Sequence, residues 1–414
     1  MKEFRKIKPL GKGSYSEVFL AEDKVKWEIY AIKVIELGRI LTNDKEKERL
    51  IGREYKILRT TDHPNIIKLH FKFNHKNKVC FGLEYAPNGE LAKLLKLYKI
   101  LPFPLAQYYI AELVNALEYL KSLNIAHRDI KPENILIDVN YHLKITDFGT
   151  SKFMDEVLDE PKEDGASFVG SNEYVSPEVL ANKESSPASD LWALGCIIYK
   201  FIVGQSPFYR ETPYLTLQAI AEVDFSFPSN MHEAAKDLCK KLLVADPSKR
   251  LGNGVKGFEE LKAHPFFKGI DFNNLIKTKP PITDEIIERL SEEENKGNEI
   301  ETSSDEDSVD AKSDIVDTNN KILKKGTVLK KCGLIFYRYR DLILYDKPRL
   351  VYFSSRTKDY KGDIILTKKV RAVKKAANRF DVVIPHRTYY FKAKSSADAK
   401  EWIKLINTAI TNNK

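Results

Sequence analysis

His127-Arg128-Asp129-Ile130-Lys131-Pro132-Glu133-Asn134 holds a carboxylate, an ammonium and an amide at offsets of two and three residues, beside a proline that stops the stretch continuing as helix. Thirteen residues past Asn134 comes a second carboxylate, in Asp147-Phe148-Gly149. Moving a phosphoryl group requires a protein to orient a hydroxyl, neutralise the travelling charge and hold a metal. Asp129 is placed to accept the hydroxyl proton, Lys131 to meet the transferring phosphate, and Asn134 with Asp147 to bind the metal. A lone Arg-Asp pair reads as a structural ion pair. The complete pattern H-R-D-x-K-x-x-N followed by D-F-G reads as a single chemical site.

Toward the amino terminus, residues 4–36 predict a strand, a glycine-rich turn and a second strand. Gly11 and Gly13 let backbone amides approach phosphates closely, and Ser16 stands where a third glycine is usual. Tyr30-Ala31-Ile32-Lys33 alternates as a strand and ends in a lysine able to reach the α and β phosphates. The charged segment 44–60 predicts a helix. Of its acids, Glu54 is the partner for Lys33 on register, eight residues before Asp62-His63-Pro64, where that helix must end. Short strands run through Phe73 and Val79 to Leu83. The connector Glu84-Tyr85-Ala86-Pro87-Asn88-Gly89-Glu90 then offers backbone groups to an adenine, with Glu90 near the ribose. Leu105, Tyr109, Leu113, Ala116, Leu117 and Leu120 recur at helical spacing and predict a core-facing helix that leads into the catalytic loop.

At every one of these motifs, and at Ser176-Pro177-Glu178 and Asp190-Leu191-Trp192, residues 1–268 resemble a eukaryotic protein kinase. The stretch Val244 to Gly252 and the ending His264-Pro265-Phe266-Phe267 resemble the AGC group. Asp147 to Lys152, Ser167 to Gly170 and Tyr174 to Glu178 are similar to its 3-phosphoinositide-dependent kinases. The resemblance implies an α+β, two-lobed kinase fold, with a small lobe over 1–84 and a large lobe over 90–268. It implies serine/threonine phosphotransfer, with ATP and magnesium (Mg2+) as cofactors and a Glu178–Arg250 ion pair bracing the activation segment. The nucleotide contacts it implies are Gly11, Lys12, Gly13, Ser14, Ser16, Val18, Ala31, Lys33, Glu54, Leu83, Glu84, Ala86, Glu90 and Glu133.

Ser167 matches the activation-loop phosphosite, and Arg53, Arg128 and Lys152 occupy the positions that meet its phosphate. Such a group adds nearly two negative charges and accepts charge-assisted hydrogen bonds. The resemblance also implies a docking groove of Ile40, Leu41, Ile51, Val79 and Phe81. No F-x-x-F-S/T-F/Y motif follows Phe267, so this groove is expected to be vacant and to take the hydrophobic tail of a substrate kinase. Tyr55 departs from the family, which carries a basic residue after Glu54; Lys72 is the cation that can substitute.

Among the 414 residues 43% are hydrophobic, enough for two or three domains with full cores. Cys80, Cys196, Cys239 and Cys332 form no C-x-x-C pair and read as reduced thiols of an intracellular protein, with neither a disulfide framework nor a metal site implied. The start Met1-Lys2-Glu3-Phe4 leads into no apolar signal region. The run Leu191 to Val203 is interrupted by Lys200 and too short to span a bilayer. The net charge of +9 is unevenly spread: residues 291–317 carry eleven acids against two bases, residues 321–414 twenty-four bases against seven acids. Residues 269–317 are therefore expected to be an acidic, disordered linker, and an anionic partner is expected for the segment after it.

Strand signals return at Leu342 to Tyr345, Leu350 to Phe353, Val382 to Ile384 and Thr388 to Phe391. A helix follows a Ser395-Ser396 cap, with Trp402, Leu405, Ile406 and Ala409 on one face. This resembles a pleckstrin homology domain over 318–414, a β-barrel capped by a C-terminal helix. The resemblance places a phosphoinositide site at Lys330, Lys331, Arg338, Arg340 and Arg387. A lipid surface is favoured over nucleic acid as its anionic partner. The expected location is cytoplasmic with recruitment to the inner face of the plasma membrane. The adjoining acidic segment, around residues 305–310, is expected to compete with lipid headgroups. The alternatives are an AGC kinase with other protein substrates and a lipid-binding scaffold of little activity; intact Lys33, Asp129, Asn134 and Asp147 argue against the scaffold.

Overall fold

Strand β1 (Phe4–Lys12), β2 (Ser16–Asp23), β3 (Ile29–Glu36), β4 (Leu69–His75) and β5 (Lys78–Leu83) form one antiparallel sheet in the order β1-β2-β3-β5-β4, with helix α1 (Asp44–Thr60) between β3 and β4. The computed structural model describes residues 4–13, 16–23, 28–37, 44–155, 172–181, 185–287, 289–290, 321–332, 336–346, 349–354, 360–384 and 387–411. Side chains at 44–47, 172, 331–332, 336–338, 354, 360–362 and 387 are outside that description. Alternation along β3 divides its duties. Tyr30, Ile32 and Val34 join Phe19, Ala21 and Cys80 in an apolar layer closed by Phe4, Phe71 and Phe73, whereas Ala31, Lys33 and Ile35 lie on the opposite face. Gly82 is required where the Phe71 ring lies against β5, because a Cβ there would sit 2.1 Å from it.

The large lobe begins with α2 (Leu91–Leu97) and α3 (Phe103–Ser122). The short strands β6 (Ile125–Ala126), β7 (Ile135–Ile137), β8 (Leu143–Ile145) and β9 (Lys152–Phe153) carry the loops of interest. Helices α4 (Pro177–Leu180), α5 (Pro187–Val203), α6 (Pro213–Glu222), α7 (Glu233–Leu242) and α8 (Gly257–Lys262) complete it. Helix α5 starts at a capping box made by Ser186 and Ser189 and stops at Gly204, whose φ of 92° favours glycine. It is apolar nearly all round, as a central buried helix must be. Helix α3 buries the stripe expected of it, together with one acid. Glu112 accepts from Leu143 N at 2.9 Å and pairs with His142 Nδ1 at 2.6 Å. That contact pins the β7–β8 hairpin, which has Asn134 before one strand and Asp147 after the other.

One boundary differs from expectation. Residues 269–290 are not free linker: Leu275, Ile282, Ile286, Ile287 and Leu290 are buried, and Tyr108 on α3 donates to Leu275 O and to Thr278 O at 2.8 Å. Their apolar side chains have a lobe to cover; of the expected linker, residues 288 and 291–317 lie outside the description. The molecule divides into units Met1–Gly297 and Asn298–Lys414.

In the second unit, β10 (Ile322–Cys332), β11 (Phe336–Tyr345), β12 (Arg349–Ser354), β13 (Tyr360–Ile365), β14 (Arg371–Ala376), β15 (Arg379–Ile384) and β16 (Arg387–Lys392) form one sheet. Its order is β13-β12-β11-β10-β16-β15-β14. No ladder joins β13 to β14 among the described residues, so closure of the expected barrel is not seen there. The C-terminal helix Ser396–Thr411 lays Ala399, Trp402, Ile406 and Ala409 on the sheet core, with Leu405 at its margin. Ser395 Oγ accepts from Asp398 N at 3.1 Å, which is the cap the sequence predicts.

His63 ends the turn after α1, stacked on Tyr119. Burial, with Lys144 and Lys262 nearby, pushes its pKa down to about 4 from the ordinary 6.5. A base depressed by folding stabilises the fold fully above pH 6.5, and that contribution is lost as pH falls toward 4. The unfolding midpoint should therefore fall over this window, and less steeply in His63→Gln. Superimposable pH curves for the two proteins would refute the assignment.

Candidate active site

The β2–β3 and β3–β5 ladders pair Val18 with Lys33, and Lys33 with Phe81; Ala31 pairs with Leu83. Directly opposed residues share a face, so Val18, Ala31, Lys33 and Leu83 line one side of the sheet. Below it Lys33 Nζ lies 2.7 Å from Glu54 Oε1 and 2.9 Å from Asp147 Oδ1, with only 9% of the lysine exposed. Burial lowers the Lys33 pKa, but the two carboxylates outweigh it and hold the ammonium well above its ordinary value. Partial burial raises Asp147, yet Lys33 leaves it below the usual carboxylate range. Asp147 takes a left-handed backbone, φ 61°, an uncommon state for a non-glycine residue and one held here by its surroundings.

In the catalytic loop, Lys131 Nζ and Asn134 Nδ2 both reach Asp129 Oδ2, at 2.8 and 2.7 Å. Asn134 Nδ2 also donates to Asp129 O at 2.9 Å, which directs its Oδ1 the other way. Asp190 on α5, not foreseen in this role, grips the loop backbone by accepting from His127 N at 2.8 Å and Arg128 N at 2.9 Å. Arg128 is left-handed there, φ 74°, and Asp190 holds it so. His127 is wholly buried. Its Nε2 donates to Thr146 O at 3.1 Å while its Nδ1 accepts from Asp129 N at 3.3 Å, which fixes the neutral tautomer, and burial pushes its pKa down. The His127 carbonyl accepts from Thr150 and Ser151, so the residues after Asp147-Phe148-Gly149 are tied to the same loop.

Gly11 and Lys12 lie at the tip of the β1–β2 hairpin, which Gly13 closes by donating to Ser16 O at 2.8 Å; Ser14 is outside the described residues. Lys12 pairs across the hairpin with Glu17 at 3.5 Å. In the connector Ala86 is buried and Glu90 bridges to Leu136, but the Glu84 side chain turns to Lys144 at 2.9 Å. Glu133 is exposed beside the catalytic loop. The Asn134 Oδ1 and the half-exposed Asp147 carboxylate form an all-oxygen donor pair. It suits a hard divalent ion that fills its remaining positions with phosphate oxygens and water.

Glu178 and Arg250 form the expected brace, a buried bidentate pair at 2.7 and 2.6 Å, with Ser189 Oγ donating to Glu178 at 2.8 Å and the guanidinium lying over Trp192. Ser167 lies outside the described residues. Of the cations assigned to it, Arg53 and Lys152 are buried and Arg128 is exposed. Of the groove residues, Ile40 and Leu41 are also outside the description. Ile51, Val79 and Phe81 are packed into the small-lobe core, Phe81 against Tyr55. Lys72 Nζ sits 4.4 Å above that Tyr55 ring.

In the second unit β10 pairs Lys330 with Arg338 of β11 and with Phe391 of β16, the strand that also carries Arg387. Lys330 is only 7% exposed, its ammonium 4.6 Å from the Tyr352 ring and 5.4 Å from that of Tyr389. No local pattern announces this aromatic bracket, because it joins three strands. Arg340 is half-buried; the side chains of Lys331, Arg338 and Arg387, and the acidic stretch 305–310, are outside the description. Cys80, Cys196 and Cys239 are buried free thiols, and among the described residues no helix is long and apolar enough to cross a membrane.

A protein kinase domain matches residues 4–267 and a PH domain residues 311–414. Over 98% of its length the chain is 36% identical to 3-phosphoinositide-dependent protein kinase 1 of Rattus norvegicus, covering 82% of that protein. It is 35% identical to the Homo sapiens protein of the same name, covering 83% of it. Identity to the Arabidopsis thaliana 3-phosphoinositide-dependent protein kinase 1 is 40%, over 67% of this chain and 57% of that protein. Protein kinases use ATP and a divalent metal, which the geometry around Lys33, Asn134 and Asp147 accommodates. The paired domains and the near-full-length similarity agree: the chain is a serine/threonine protein kinase and belongs to the family of 3-phosphoinositide-dependent protein kinases.

Proposed function

We propose that this kinase transfers the γ-phosphate of ATP to activation-loop serine or threonine residues of other AGC kinases, at membranes to which its PH domain is drawn by phosphoinositides. The observation that supports the transfer most directly is Lys33 held between Glu54 and Asp147, facing a loop in which Asp129 is gripped by Lys131 and Asn134. Both grips fall on Asp129 Oδ2, so Oδ1 is the atom that accepts the proton of the incoming hydroxyl. Lys131 stands beside it to meet the transferring phosphate, and Lys33 holds the α and β phosphates. Magnesium, held by Asn134 and Asp147, neutralises charge on the phosphate oxygens when bound.

Ser167, met by Arg53, Arg128 and Lys152, acts as the phosphate-dependent switch of the activation segment. Substrates dock by a hydrophobic tail on the small lobe near Ile40, Leu41, Ile51, Val79 and Phe81, where Ile51, Val79 and Phe81 must open to admit it. In the PH domain Lys330, Lys331, Arg338, Arg340 and Arg387 take the inositol phosphates, with Lys330 held ready by its two tyrosines. Residues 291–317 link the domains, and the enzyme is cytoplasmic until recruited to the inner face of the plasma membrane.

The test is radiolabelled phosphate transfer to an unphosphorylated AGC kinase domain with and without its hydrophobic tail. Removing the tail should lower transfer at least about tenfold, because docking raises the local substrate concentration. Equal rates would remove the docking model and leave the kinase.

A further inference from the structure

Beside the catalytic loop lies a cavity of about 520 Å³ that the transfer chemistry does not use. Lys96, Lys99, Ile100, Glu133 and Lys200 are among the side chains that line it. The lysines come from separate places: Lys96 from the last turn of α2, Lys99 just after it, and Lys200 from the last turn of α5. Lys96 and Lys99 are exposed and make no ion pair among the described residues; Lys200 has only Glu173 at 3.9 Å and the Tyr174 ring at 5.9 Å. Three ammonium groups against the carboxylates of Glu133 in the lining and Glu173 beside Lys200 leave the hollow a net positive field, which draws anionic groups. Pro132 and Glu133, which line the hollow, belong to the same loop as Asp129, so the hollow adjoins the groups that receive the hydroxyl.

We propose that the hollow is a substrate subsite for acidic side chains on the amino-terminal side of the accepting hydroxyl. This rests on the kinase reaction and adds to it a preference among peptides. The chain supplies a fitting ligand in its own sequence: Asp155, Glu156, Asp159, Glu160, Glu163 and Asp164 precede Ser167 with one opposing base, Lys162, whereas Phe168-Val169-Gly170 after it are uncharged. The complementary charge is therefore on one side of the hydroxyl only. In an extended peptide, acids three and four residues back sit roughly 10 to 13 Å from the reacting oxygen, outside the transfer site itself. Lys162, Glu133 and Glu173 are the opposing charges the acids must outweigh.

The test uses the full chain, ATP and magnesium, with two synthetic peptides spanning residues 159–173 of this sequence. One is unaltered; the other carries Asp159→Asn, Glu160→Gln, Glu163→Gln and Asp164→Asn. Exposed charge pairs are individually weak, so three lysines together should raise kcat/KM for the acidic peptide about tenfold, mostly through KM, with the advantage shrinking as salt is added. In Lys96→Gln/Lys99→Gln/Lys200→Gln the ratio of the two peptides should approach one, and Lys200→Gln alone should lower it. Equal kcat/KM for both peptides in the unaltered chain, or a preference that survives the triple substitution, overturns the subsite. The preference is a ratio, so it is separable from the level of kinase activity, which the neutral peptide reports.

Discussion

Lys33→Met should lower phosphotransfer by at least about a thousandfold, the largest effect of any single substitution considered. The lysine bridges Glu54 and Asp147, and its charge is secured far above working pH by those two carboxylates. Methionine keeps the apolar stem and removes the ammonium, so phosphates lose their partner and Asp147 loses the contact that lowers its pKa. Glu54 is left buried without the ammonium that pairs with it. The measurement is single-turnover transfer, with circular dichroism to establish that the protein remains folded. A folded variant retaining activity within about tenfold of the original would show that Lys33 has no part in holding ATP.

The second large effect is on stability. Arg250→Ala should cost about 3 to 5 kcal/mol of the kinase domain's unfolding free energy, because it leaves Glu178 buried without its counter-charge. The guanidinium has four further acceptors or faces to lose: Ala188 O, Val244 O, Ala245 O and the Trp192 ring. Burial raises the Glu178 pKa, but the Arg250 hydrogen bonds and charge prevail and hold it below the ordinary 4.5. An acid depressed by folding stabilises the fold above its unfolded pKa and loses that contribution as pH falls below it. The domain should therefore lose stability in acid below about pH 4.5, and Arg250→Ala should abolish that part of the dependence. Urea unfolding across this range reads both quantities; a cost under about 1 kcal/mol would mean that the pair is not a brace.

The grouping of Asp129, Lys131 and Asn134 was legible from sequence because the three lie within six residues, and in the fold Lys131 and Asn134 both bond to Asp129. Glu54 was legible from the distance to its helix end, and the C-terminal helix from its apolar face. Asp190 was not, since it acts on the backbone amides of His127 and Arg128, which any residues would supply. Glu112 was hidden for a similar reason: one acid in an apolar helix is read as an exposed position until the His142 hairpin is folded over it. The packing of residues 269–290 was masked by a polar, proline-containing composition whose few isoleucines show no period. The bracket around Lys330 depends on the register of three strands, which no local pattern encodes.

One measurement bears most directly on the central claim: radiolabelled phosphate transfer by the purified chain and its Asp147→Ala variant to an unphosphorylated AGC kinase domain, with the modified residue mapped by fragmentation. The account predicts one labelled activation-loop serine or threonine for the unaltered chain, and loss of at least about a thousandfold in Asp147→Ala. Equal labelling by both proteins, or label confined to residues outside the activation loop, would contradict it.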